Sequence, residues 1–201
     1  MDRLIPAVRK DTSLVKENCQ LLESVGWQCR KTKVDDWQLL RSYNRPAVLT
    51  METDNNERYF LPVIGISNTH LTILNDKQSK AIALNALAPI WTGEFAYLWQ
   101  PPEGFKEYIY FDSNAELVDW LANAFAIIDN RDEPLAGKKF TSLLKQRVML
   151  FQREKQLVED GIAGVRTLLK INEELKRAVT LGEFGLDKSV ANTTAIESTI
   201  N

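Results

Sequence analysis

The 201-residue sequence predicts an α+β protein built as two small domains, an antiparallel sheet followed by a helical bundle. Three observations predict it. Short β-rich runs crowd residues 47–74, the double proline Pro101-Pro102 interrupts the chain, and helical periodicity takes over from residue 115 onward. Apolar residues make up 44% and charged residues 26%, proportions that leave each half enough material for a core.

In chain order, Ser13 caps a first helix over 13–25, whose apolar positions are Leu14, Val15, Leu21, Leu22 and Val25 and whose stop is Gly26. Trp27 and Cys29 lead into a polar stretch. Asp35-Asp36-Trp37-Gln38-Leu39-Leu40-Arg41 reads as a short capped helix ending before Asn44-Arg45-Pro46. Residues 47–51, 59–66 and 71–74 are strands, because β-branched and aromatic residues dominate them and Asp54-Asn55-Asn56 and Ser67-Asn68-Thr69 supply turns between them. Phe95-Ala96-Tyr97-Leu98-Trp99 is a further strand, closed by the two prolines, which also end the first domain. Trp91, Phe95, Tyr97 and Trp99 are read as core rather than as a binding face.

Three helices follow. Ser113-Asn114-Ala115-Glu116 has capping-box spacing, and Leu117, Leu121, Ala124, Phe125 and Ile128 then share a face. Leu144, Val148 and Phe151 mark the second helix. Val165, Leu168, Leu169 and Leu175 mark the third, which opens after Gly164 and closes at Leu181-Gly182. The resulting boundaries are 8–104, 105–180 and a polar tail, 181–201.

A net charge of −2 supplies no cationic excess for a nucleic-acid backbone, so nucleic acid is excluded as a partner. No apolar run approaches the roughly 18 residues of a membrane span, and the start of the chain lacks the pattern of a secretory signal. Two cysteines, Cys19 and Cys29, are compatible with one short-loop disulfide or with two free thiols. Neither a metal site nor a cofactor is indicated.

The most specific segment runs from Phe151-Gln152 through Leu157 to Asp160-Gly161-Ile162-Ala163-Gly164-Val165-Arg166-Thr167-Leu168. Asp160-Gly161 makes a tight turn in which Gly161 takes a positive φ and Asp160 bonds its own backbone. Leu157 and Ile162 are expected to plug that turn into a core of Phe151 and Leu168. Gly164 then exposes amides at a helix N-terminus, where a carboxylate can bind. The segment resembles the repeat of the common peptidoglycan-binding domain, a three-helix module with the pattern FQ, then L, then DG-I-x-G-x-x-T-L. The resemblance implies a wall ligand and makes Gln152, Arg153, Asp160, Gly161, Gly164, Arg166 and Thr167 the candidate contacts.

The first domain resembles a bacteriocin-processing cysteine-peptidase-like domain. The similarity rests on Asn44-Arg45-Pro46-Ala47-Val48-Leu49, Arg58-Tyr59-Phe60-Leu61-Pro62-Val63-Ile64-Gly65 and Leu71-Thr72-Ile73-Leu74-Asn75-Asp76. Active members are papain-like and use a cysteine, a histidine and an aspartate. Here Tyr59 stands at the histidine position. The single histidine, His70, sits at the start of a strand and is read as a turn residue, and Cys19 falls too far into its helix for the dipole to lower its pKa. A Cys19–Cys29 disulfide is the better reading, since a chain turning back at Gly26-Trp27 can bring the two together. It would contribute about 2–3 kcal/mol through loop closure and would place the domain in an oxidising compartment.

Cys19, Gly26-Trp27-Gln28-Cys29, Arg45-Pro46-Ala47-Val48-Leu49, Trp91-Thr92-Gly93-Glu94-Phe95, Leu98-Trp99-Gln100-Pro101-Pro102 and the carboxy-terminal module together resemble the periplasmic region of the general secretion pathway protein A family. The resemblance implies a degenerate papain-like domain followed by a three-helix peptidoglycan-binding module. In that family a cytoplasmic ATPase and a membrane helix precede this region. The expectation is therefore a periplasmic fragment of an inner-membrane-anchored protein that partners peptidoglycan, general secretion pathway protein B and the outer-membrane secretin. The implied role is a non-catalytic scaffold. The alternative is a cell-wall hydrolase or cysteine peptidase built on Cys19 and His70.

Overall fold

A computed structural model describes residues 26–75 and 78–181, so the helix expected over 13–25, including Cys19, lies outside the described residues. Two compact units divide the chain. Among described residues one takes 29–75, 78–98 and 179–181, and the other takes 26–28 and 99–178.

The first unit is built on a six-stranded sheet of β1 (Gln28–Lys33), β2 (Ala47–Glu52), β3 (Arg58–Ile66), β4 (His70–Asn75), β5 (Gln78–Ala83) and β6 (Trp91–Trp99), in the order β1-β6-β2-β3-β4-β5. The central strands alternate as half-buried strands should: in β2, Ala47, Leu49 and Met51 are buried while Val48, Thr50 and Glu52 are only partly so. Register places Leu49 opposite Leu61 on β3 and Phe95 on β6, so one face becomes a continuous core. Pro62 is tolerated within β3 because the ladder to β4 begins at Val63↔Ile73.

Helix α1 (Trp37–Tyr43) starts at Asp36, whose carboxylate accepts the Leu39 amide at 2.6 Å, and stops at Asn44, which takes the left-handed conformation at φ 52°. It buries Leu40 and sets Tyr43 edge-on against Phe95 and Tyr97 at 5.1 and 5.2 Å. Phe95, Tyr97 and Trp99 are buried, as expected of core aromatics, while Trp91 is half-buried and stacks on Trp37 at 3.8 Å. A short helix, α2 (Leu84–Leu87), links β5 to β6.

The stretch after Trp27 that reads as loop is strand β1, and residues 78–83, also without an expected element, form β5. These are the two edges of the sheet. An edge strand is half solvated and commonly carries lysine, so its apolar alternation is erased.

The second unit packs α3 (Ala115–Ile128), α4 (Ser142–Glu154) and α5 (Val165–Glu174) beside a two-stranded ribbon of β7 (Tyr108–Ile109) and β8 (Ala163–Gly164). Leu117, Leu121 and Phe125 of α3, Leu144, Val148 and Phe151 of α4, and Leu168 of α5 are buried, with Phe125 and Phe151 in edge-to-face contact at 5.4 Å. Arg147 lies 4.7 Å over the Phe125 ring and forms a bidentate pair with Asp129, whose hydrogen bonds raise its pKa above the ordinary guanidinium value.

Two details differ from expectation. Asn114, not Ser113, caps α3, its carboxamide oxygen accepting the Glu116 amide at 2.7 Å while Ser113 Oγ accepts the Tyr110 amide instead. Helix α5 ends at Glu174 rather than near Leu181, because Lys176 turns left-handed at φ 54°. The Lys176 and Arg177 amides then return to the carbonyls of Glu173 and Asn172.

Candidate ligand-binding groove

The segment of residues 151–168 forms a hydrogen-bond knot. At the end of α4 Gln156 takes φ 56°, its amide bonds the Arg153 carbonyl, and the Leu157 amide bonds that of Gln152, which reverses the chain. Asp160 and Gly161 turn it back again: Asp160 Oδ1 accepts the Ile162 amide at 2.8 Å, and Gly161 takes φ 72°. A Cβ on Gly161 would stand 2.7 Å from Lys145 Cγ, so the lysine stem lies directly against the turn.

Gln152 ties both reversals together. Its side-chain nitrogen donates to Asp160 Oδ1 at 2.8 Å, to the Ile162 carbonyl at 3.0 Å and to Thr167 Oγ1 at 3.2 Å, while its oxygen accepts the Gly161 amide at 2.9 Å. Two N–H groups serve three oxygens, so one bond is shared. Gln152 and Thr167 are 2% and 3% exposed, and their polar atoms are spent inside the protein. A buried carboxamide with every group satisfied fixes geometry rather than receiving a ligand.

The remaining expected contacts fall around this knot. Arg153 is exposed and paired with Glu159 at 2.7 Å; the hydrogen bond between them raises the Arg153 pKa and lowers that of Glu159. Gly164 is the N-cap of α5 without a side-chain cap, and Arg166, half-buried in the first turn, already has an interaction partner. Leu157 and Ile162 do not plug the turn into the core: both are half-buried, and Ala163 beside them is the fully buried residue.

Ile162 instead lines a groove of about 470 Å³ with Tyr108, Tyr110, Phe111 and Asp112. Pairing of Ile109 with Ala163 and of Tyr108 with Gly164 brings these distant segments together. Tyr108 and Phe111 are 45% and 50% exposed. Phe111 is held edge-on against Tyr110 and the buried Phe140, at 4.7 and 5.2 Å, and the Tyr110 hydroxyl accepts from Lys145 Nζ at 3.2 Å. The result is a preorganised aromatic wall facing an aliphatic one, of a size that suits a small ligand. The sequence reading missed this site. Its signal is Tyr108-Ile109-Tyr110-Phe111-Asp112, an aromatic run whose alternate member, Ile109, is fully buried.

The peptidase-like residues show a different picture. Cys29, on β1, is disulfide-bonded, and there is no free cysteine among the described residues. His70 is exposed at the start of β4, its Nδ1 2.8 Å from Thr69 Oγ1. Strands β1 and β4 are four strand spacings apart, about 19 Å. Tyr59, expected at the histidine position of active members, donates its hydroxyl to Glu57 at 2.6 Å. No group of three or more metal-ligating side chains occurs among the described residues.

Residues 9–101 match the family model described as "GspA, peptidase C39-like domain". The chain is also similar to proteins of the general secretion pathway. It is 27% identical over 162 residues to "General secretion pathway protein A" of Aeromonas hydrophila, covering 80% of this chain and 29% of that one. It is 24% identical over 155 residues to the putative general secretion pathway protein A of Escherichia coli, covering 76% and 31%. Among solved structures it resembles a periplasmic domain of the EpsAB fusion protein of the Vibrio vulnificus type II secretion system, with a TM-score of 0.51, 28% identity, and coverage of 78% of this chain and 67% of that one. The chain thus spans under a third of the length of these two curated relatives.

Proposed function

We propose that the chain is a periplasmic, non-catalytic scaffold of type II secretion that holds peptidoglycan in the groove of its helical unit. The observation that carries the reading is the pair of half-exposed aromatics, Tyr108 and Phe111, set against Ile162 by a buried hydrogen-bond knot. Aromatic faces stack on sugar rings and on the aliphatic parts of stem peptides, and a rigid wall lowers the entropic cost of doing so. In this reading Gln152, Asp160, Gly161 and Thr167 shape the groove. Gly164 pairs with Tyr108 beside it, and Arg153 and Arg166 are not among the residues that line it.

The non-catalytic part is supported by the chemistry of the peptidase-like unit. A disulfide-bonded Cys29 offers no thiolate, and His70 has a threonine hydroxyl rather than a carboxylate or thiol beside its ring. The periplasmic part is supported by the disulfide, which persists in oxidising compartments, and by the homologous EpsAB domain. Within a secretion complex the scaffold would pair with general secretion pathway protein B and aid assembly of the outer-membrane secretin. Sedimentation with purified sacculi tests the wall-binding core of this proposal. The chain should enter the pellet and the Tyr108→Ala/Phe111→Ala variant should not; wild-type chain left in the supernatant would overturn it.

A further inference from the structure

The groove carries chemistry that narrows its ligand beyond peptidoglycan in general, and this step rests on the wall-binding reading above. Tyr108, Phe111 and Ile162 are apolar surfaces, and the Tyr110 hydroxyl is already engaged by Lys145. The one ionisable carboxylate in the lining is Asp112. It is exposed and, among the described residues, has neither a hydrogen bond nor an ion pair. A ligand matched to such a groove presents methylene groups to the aromatic and aliphatic walls and a cation or amine donor to Asp112.

We infer that the groove takes the diamino-acid side chain of a stem peptide, with its free ω-ammonium on Asp112 and its methylenes between Phe111, Tyr108 and Ile162. Glycan alone has no cation to offer. A stem that has accepted a cross-link has its ω-amine acylated, which removes the charge and adds bulk where the carboxylate stands. The groove therefore selects stems whose ω-amine has not accepted a cross-link.

The test is calorimetric titration of the full chain with three soluble probes: a stem tripeptide ending in a diamino acid with a free ω-amine, the same peptide acetylated at that amine, and the disaccharide without peptide. The free amine should bind at least about tenfold more tightly than the acetylated form, and Asp112→Asn should remove that difference without changing the fold. Equal binding of the two peptides, or binding of the disaccharide alone, would overturn the inference while leaving wall binding intact. If no probe binds and sacculi do not sediment the chain, the wall-binding reading itself fails and takes the inference with it.

Discussion

The Gln152 side-chain oxygen accepts the Gly161 amide at 2.9 Å, joining the last turn of α4 to the tip of the turn that follows it. Through this one contact a buried polar residue dictates where Ile162 faces the groove. Its satisfied amide is the reason the segment keeps one shape.

Gln152→Leu strands the Gly161 amide and removes three acceptor contacts without adding a polar replacement. Urea denaturation should show the helical unit destabilised by about 2–3 kcal/mol. Gln152→Glu should cost more at neutral pH, because it sets a carboxylate against that of Asp160, now 2.8 Å from the Gln152 nitrogen, and part of the loss should return in acid. A Leu variant as stable as wild type would show that the knot is incidental.

Two glycines with positive φ separate a soft obstacle from a hard one. At Gly161 an added Cβ meets the Lys145 stem, which can swing aside, so Gly161→Ala should cost about 1–3 kcal/mol and less in a Lys145→Ala background. At Gly93, φ 81°, the Cβ would stand 2.3 Å from the Val34 carbonyl oxygen, and backbone cannot move without breaking the bond between the Val34 amide and the Gly93 carbonyl. Gly93→Ala should cost at least about 3 kcal/mol. Thermal melts of the three variants check the ranking.

The central strands, the helical faces and the Asp160-Gly161 turn were legible because periodicity and turn chemistry are local. Leu49 and Phe125 announce their burial within a few residues of sequence. The edges β1 and β5 were not legible, since Gln28-Cys29-Arg30-Lys31-Thr32-Lys33 and Gln78-Ser79-Lys80 carry the polar side chains that an edge requires. The end of α5 was misjudged for another reason. The left-handed residue that closes it is Lys176, not the glycine that marks such a stop in sequence. The groove was hidden because β7 is two residues long and its partner β8 lies far along the chain, so no local pattern unites Tyr108 with Ile162.

The Arg153–Glu159 pair predicts a local titration. The arginine holds the Glu159 carboxyl below its ordinary value of 4.5, so whatever the pair contributes is present above that pH and is lost as pH falls through the lower folded value. Both side chains are solvated and the effect on global stability is small. NMR titration should place the Glu159 midpoint below 4.5 in the wild type and return it to the ordinary range in Arg153→Gln. An unchanged midpoint in the variant would show that the pair does not persist in solution.

Tyr108→Ala and Phe111→Ala remove surface from the groove while leaving Ile109 and Phe140 buried beneath it. Each should retain a melting temperature near that of the wild type and lose about tenfold in affinity for soluble wall fragments, as expected when an exposed aromatic wall is truncated. Loss of the fold in either variant, seen by circular dichroism, would assign the residue to packing instead.

Chemical-shift mapping of the chain titrated with soluble muropeptides tests the central claim most directly. The account predicts saturable shifts centred on Tyr108, Tyr110, Phe111, Asp112 and Ile162. Shifts confined to the sheet of residues 29–98, or no saturable shifts at all, would contradict it.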